Sequence, residues 1–195
     1  MTKDPRRARR PSEALRRDIQ QAMIDELVEH GYGEVSIEGV AARAGAAKTS
    51  VYRYWATKEE LVIDALANAL PLPDRGPSTG SVRGDFAVMM SLMAQSLGGL
   101  AGQVLLTVAA ERRRHPEVAE AVMERVVRPR QRLMLEALDR AVARGEIPAE
   151  AARALPVQVA GSLLLQHFMH TGTPPGPDEI DDYLDRAVMP VLNRK

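Results

Sequence analysis

Ser36 to Leu61 reads SIEGVAARAGAAKTSVYRYWATKEEL, and its punctuation divides it into three helices. Ser36 is an N-cap residue, whose side-chain oxygen accepts from an amide of the first turn. Behind it Ile37, Val40 and Ala41 share one face at helical spacing. Gly45 breaks that helix. A second runs from about Ala47 to Tyr54, with Val51 and Trp55 as inward anchors and Lys48, Thr49, Ser50, Tyr52, Arg53 and Tyr54 crowded along it. Thr57 caps a third, and Glu60 three residues on completes a reciprocal capping box. Two short helices joined at a glycine, the second dense in cations and hydrogen-bonding groups, have the layout of a helix-turn-helix, in which the second helix enters the DNA major groove.

Toward the N-terminus, Ser12 begins a helix whose Leu15, Ile19, Ala22, Met23 and Leu27 form an apolar stripe. Gly31 is expected to end it, with His30 at the carbonyl end of the dipole. Residues 1–11 are basic and proline-flanked and are expected to form a disordered arm. Lys3, Arg6, Arg7, Arg9, Arg10, Arg16 and Arg17 crowd this end and face only Asp4 and Glu13. The formal net charge is zero, so the chain has no bulk basic signature, but the local one suits nucleic acid.

Toward the C-terminus, Leu61, Ile63, Ala65 and Leu66 carry the Thr57-capped helix to about Leu70. Then PLPDRGPSTG, residues 71–80, forms the clearest boundary in the chain. It separates a head (residues 12–70, with the helix-turn-helix at about 36–55) from a body at 81–195. The body reads as five helices, near 81–97, 101–114, 117–144, 149–170 and 178–192. Pro116 and Pro148 are placed to start helices and Gly145 to stop one. Pro129 falls inside the long third helix, where it predicts a kink.

Composition points the same way. Hydrophobic residues are 45% of 195, aromatics only 4%, and the apolar set is mostly Leu, Val, Ala and Met. No segment alternates apolar and polar residues, so the fold class is all-α. The chain has no cysteine, which excludes disulfides, thiolate metal sites and a cysteine nucleophile. No run approaches the ~20 apolar residues that span a bilayer, and the expected location is the cytoplasm.

From Ile19 to Leu61 the chain resembles the TetR family of transcriptional regulators. The resemblance rests on Ala22, Gly31-Tyr32, Ser36, Ile37, Val40, Ala41, Gly45, Lys48, Tyr52, Tyr54, Trp55, Lys58 and Glu59-Glu60-Leu61. In the body it is looser and rests on RPRQRLMLEALDRAVARGEIP. It departs at Ala47, where the family usually has a capping Ser or Thr worth about 1 kcal/mol. Trp55 replaces the commoner Phe, and Ala56 the frequent Pro. The resemblance implies a three-helix DNA-reading head, a helical effector-binding and dimerisation body, and a homodimer whose two heads read a palindromic double-stranded operator. It also implies that the last two helices, 149–170 and 178–192, form the dimer interface. Their stripes are Leu155, Val159, Leu163 and Gln166 on one, and Tyr183, Leu184, Ala187, Val188 and Leu192 on the other.

Within that frame the candidate DNA contacts are Ser36, Lys48, Thr49, Ser50, Tyr52, Arg53, Tyr54, Lys58, Arg9 and Arg10. Lys48, Thr49 and Ser50 open the recognition helix, where side chains reach base edges. The tyrosines and Arg53 reach phosphate, sugar or base, and Lys58 grips a phosphate from the first turn of the next helix. The arm lies along phosphates or enters the minor groove. The competing reading, a surface turn whose aromatics only fill a core, fits a short match but not one spanning Ile19 to Leu61.

For a small-molecule effector the candidates are Met89, Met93, Gln103, Thr107, Glu111, Met134, Gln166, His167 and His170. The methionines suit an adaptable wall, although apolar stripes are more often plain core, and the polar residues could orient a ligand. His167/His170 and Glu111/His115 have metal-compatible spacing but no third ligand, so no metal and no cofactor is assigned. The expected function is a repressor released from its operator by an apolar effector. An activator would share the fold. A helical enzyme using His167, His170 and Glu111 lacks a nucleophile motif, a phosphate loop or paired carboxylates. A protein-interaction module would show no salt-dependent DNA binding.

Overall fold

A computed structural model describes residues 12–192, and among them every regular element is helical. The helices are α1 (Ser12–Glu34), α2 (Ile37–Arg43), α3 (Lys48–Tyr52), α4 (Lys58–Ala69), α5 (Val82–Gly98), α6 (Leu100–Ala110), α7 (Pro116–Val122), α8 (Arg128–Ala143), α9 (Ala154–Thr171), α10 (Pro177–Tyr183) and α11 (Met189–Leu192). The basic arm, with Arg9 and Arg10, lies outside the described residues.

The stripe of α1 behaves as its spacing predicts: Ile19, Ala22, Met23 and Leu27 are buried and Leu15 packs at the edge. Its end differs. Gly31 does not stop the helix but kinks it at φ 71°, and a last turn continues to Glu34 with Tyr32 turned inward. His30 faces the carboxylates of Glu26 and Glu29, at 3.7 and 3.8 Å, rather than the terminal carbonyls. The cation at that end is Lys58, whose ammonium donates to the carbonyls of Tyr32 (3.0 Å) and Val35 (3.2 Å).

Both long body rods change pitch just before a proline. A π-helical segment at Met123–Val127 precedes Pro129, and another at Leu184–Val188 precedes Pro190. A proline has no N–H and crowds the carbonyl four residues back, so a wider turn accommodates it with the helix otherwise continuous. A π-helical segment thus stands next to the position where the kink is expected. Arg130 donates to the Val126 carbonyl and also to that of Leu70, at the end of α4.

Two apolar clusters form the interior. One joins α1–α4 with Val104 and Val108 of α6, and with Val118, Val122 and Val126 of the α7 rod. The other joins α5, α8, α9 and the C-terminal rod around Phe86, Met90, Leu138, Leu164 and Leu184. The two interiors part between α5 and α6, which meet at an 82° bend, so α6 and α7 pack with the N-terminal helices. Gly102 permits that corner, because a Cβ there would lie 2.4 Å from the Ser96 carbonyl. Segment 71–80 is itself tied down. Arg140 donates to Pro77 O at 2.6 Å, and the buried Asp85 accepts from the amide and hydroxyl of Thr79 at 2.7 and 2.8 Å.

No single helix among the described residues is long and apolar enough to cross a membrane.

Candidate nucleic-acid interface

The helix-turn-helix is assembled from local signals. The Ser36 side chain accepts from Gly39 N at 3.1 Å and starts α2. That places Ser36 as a cap, with its oxygen already engaged. Gly45 turns the chain at φ 61°, a left-handed conformation that costs an L-residue about 1–2 kcal/mol. α3 begins after Ala47, which is extended and provides no side-chain cap. It is shorter than its sequence suggests and ends at Tyr52, with Arg53 and Tyr54 in the following turn. Thr57 accepts from Glu60 N at 3.1 Å as expected, but the return bond differs: Glu60 accepts from Ala56 N at 2.8 Å, one residue before the cap.

Val51 is fully buried and Trp55 is 4% exposed, so α3 is anchored by one edge. The opposite edge carries Lys48, Thr49, Tyr52 and Arg53 into solvent, and Ser50 is half-buried. Tyr52 is 48% exposed. The Lys48 ammonium stands 5.7 Å from the centre of the Tyr52 ring and is ion-paired with Glu38 of α2.

Two predicted contacts, Tyr54 and Lys58, also have structural duties within the head. Tyr54 is half-buried against Trp55, its hydroxyl donates to Ser12 O at 3.3 Å, and Arg53 donates to that hydroxyl at 3.0 Å. Tyr54 therefore braces the start of α1 against the end of α3. Lys58 is engaged inside the head. Besides its two carbonyl bonds, its ammonium sits 4.2 Å from the centre of the Tyr32 ring.

Sequence reasoning missed Asp64. Its Oδ2 accepts from Trp55 Nε1, Arg16 Nη2 and Gln20 Nε2, each at 2.8 Å. Burial opposes ionisation of this carboxyl, but the three donors outweigh it and hold its pKa below the usual range. Only a polar residue amid the apolar run of α4 signalled it. Tyr32 is a second such residue. It donates to Glu59 at 2.7 Å and stacks edge-on with His115 of the α6–α7 turn, centroids 4.7 Å apart. Burial, then Glu59, pushes its phenol well above the ordinary tyrosine value.

The predicted effector residues lie in differing environments. Met89 and Met134 are buried in the second cluster, while Gln103, Gln166 and His170 are exposed. Thr107 donates to Gln103 O at 3.0 Å, and Glu111 pairs with Arg114 at 3.3 Å beside an open depression of about 520 Å³. His167 shares a 2.7 Å hydrogen bond with Tyr183, and Met93 is half-buried. The C-terminal stripe is also reassigned: Leu184, Val188 and Leu192 are buried in their own subunit. On α9, Val159 and Leu163 are half-buried, whereas Leu155, Leu165 and Met169 are exposed at 56%, 36% and 72%.

Two family models match the chain. One, described as bacterial regulatory proteins of the tetR family, covers residues 21–65. The other, a tetracyclin repressor-like C-terminal domain, covers residues 76–187. Among curated relatives, the HTH-type transcriptional regulator Rv1556 of Mycobacterium tuberculosis is 30% identical over 168 residues, 86% of this chain and 83% of the relative. The DNA-binding transcriptional repressor TetR of Mycobacteroides abscessus is 30% identical, covering 85% of each chain. Among solved structures, the regulator FadR of Bacillus subtilis, in complex with stearoyl-CoA, has the same fold. Its TM-score is 0.68 at 16% identity, covering 86% of this chain and 95% of its own.

Proposed function

The chain belongs to the TetR family and is a DNA-binding transcriptional regulator, and from that premise we propose a cytoplasmic homodimeric repressor released from a palindromic operator by a small-molecule effector. The observation that carries the reading is the split of α3. Val51 and Trp55 fix it to the core, while Lys48, Thr49, Tyr52 and Arg53 stand in solvent. These four are the proposed base and phosphate contacts, with Ser50 beside them. Tyr54, Lys58 and Ser36 set the pose of α3. Arg9 and Arg10, outside the described residues, are proposed as further phosphate contacts.

We place the head at 12–70 and the effector and dimerisation body at 81–195. The exposed apolar residues of α9, Leu155, Leu165 and Met169, support pairing across a twofold axis. Two heads must then present α3 about 34–36 Å apart, one DNA turn. An effector releases DNA if it binds more tightly to a state with another spacing. Of the effector candidates, Met93, Thr107, Glu111 and His167 are half-buried, within reach of a ligand without unpacking the core. The repressor of Mycobacteroides abscessus supports the sign of regulation. We assign no catalytic activity.

The test is binding to a duplex selected by the protein from a random library, followed by fluorescence anisotropy. Lys48→Ala and Tyr52→Ala should each weaken binding while the dimer stays folded. Unchanged affinity in both would remove the proposed interface.

A further inference from the structure

Arg16, Arg43, Lys48 and Lys58, around α3, are each engaged, but the partners differ in kind. Arg16 holds Asp64, whose side chain is 32% exposed. Arg43 pairs at 2.6 Å with Glu26, whose side chain is 10% exposed, and also with Glu29. Lys58 holds two backbone carbonyls. Each of these cations has at least one partner that is a backbone carbonyl or a carboxylate no more than a third exposed. Lys48–Glu38 is different: the side chains are 48% and 62% exposed, and neither packs into the core. A pair this exposed is worth little to stability and can be exchanged. It also sits on the reading face, since Glu38 lies in the first turn of α2, two residues past its cap, and Lys48 is the first residue of α3.

We propose that Glu38 is an internal counter-anion that competes with DNA for Lys48 and so sets the strength of operator binding. The proposal rests on the reading of α3 as the DNA-contacting helix. In the free protein the ammonium is neutralised by a carboxylate. To touch a phosphate or a base edge it must leave that carboxylate. That cost opposes binding, and it is the same for every duplex because it belongs to the free state. Removing the carboxylate therefore strengthens binding by one common factor for every duplex, unlike removal of a residue that reads a base. Glu38 is thus a tuning residue that acts through Lys48.

The experiment uses the full-length dimer, Glu38→Gln, and the double variant with Lys48→Ala. Two probes are titrated: a duplex selected by the wild-type protein from a random library, and a scrambled duplex of equal length. Circular dichroism checks the fold. An exposed pair in each of two heads predicts that Glu38→Gln binds both duplexes roughly 2- to 25-fold more tightly than wild type. In the Lys48→Ala background the same substitution should gain less than about 2-fold. A folded Glu38→Gln with unchanged affinity overturns the proposal. So does a gain that persists without Lys48, which would be simple repulsion, or a change confined to the selected duplex, which would make Glu38 a base reader. Failure of the underlying reading looks different: wild type itself would then show no salt-dependent binding to either probe.

Discussion

Trp55 donates its indole N–H to Asp64 Oδ2 at 2.8 Å, and this bond ties the turn after the recognition helix to the middle of α4. Arg16 and Gln20 reach the same oxygen from α1, so three elements of the head converge on one carboxylate. Asp64→Ala removes the acceptor of all three and should destabilise the head by about 2 kcal/mol. Trp55 is the only tryptophan, so its fluorescence in urea reports this directly. A midpoint equal to wild type would show the carboxylate to be dispensable.

The same site predicts a response to acid. The Asp64 carboxyl titrates lower folded than unfolded, where its pKa is about 3.9. Its contribution is therefore complete above that value and disappears as pH falls through the folded pKa. Tryptophan emission of the wild type should shift below pH ~4, and that of Asp64→Asn should be flat over the same interval.

Lys48 and Lys58 should separate cleanly. Lys58→Met loses two bonds to backbone carbonyls and should cost about 1–2 kcal/mol of stability while leaving the salt dependence of DNA binding unchanged. Lys48→Ala should leave stability nearly unchanged and reduce the salt slope by about one per head. Denaturation curves and salt titrations of both variants check the pair, and a reduced slope for Lys58→Met would restore it as a phosphate contact.

Ala47 sits at the N-cap of α3 with extended backbone and no side-chain acceptor. Ala47→Ser or Ala47→Thr should add about 0.5–1 kcal/mol to stability, read as a rise in Tm. Unchanged or lower stability would mean that the hydroxyl finds no amide there.

The exposed face of α9 predicts the assembly. Leu155→Asp with Met169→Asp puts charges where apolar side chains are proposed to meet, and should weaken self-association roughly 30-fold or more. Sedimentation at micromolar concentration measures it. Full dimer retention would move the interface elsewhere.

What the sequence revealed was whatever is encoded locally. Ser36 and Thr57 declare their caps, Gly45 its turn, and Val51 and Trp55 their inward faces, all within a few residues. What it hid depends on distant partners. Lys58 reads as an exposed cation until the fold brings Tyr32 O within reach, 26 residues away, and Asp64 is silent until Arg16 arrives from 48 residues off. The stripe at Leu184, Val188 and Leu192 is real, but periodicity cannot say whether it faces its own subunit or another, and it faces its own. The effector residues were the least legible, because a lone polar group on an apolar helix looks the same whether it lines a cavity or points to solvent.

Because α6 and α7 share an interior with α1 and α4, nicking the proline-rich 71–80 stretch with a protease would not liberate the DNA-reading part as a separate fragment. The two pieces would remain associated through Val104, Val108 and Val118 and would co-migrate until denatured.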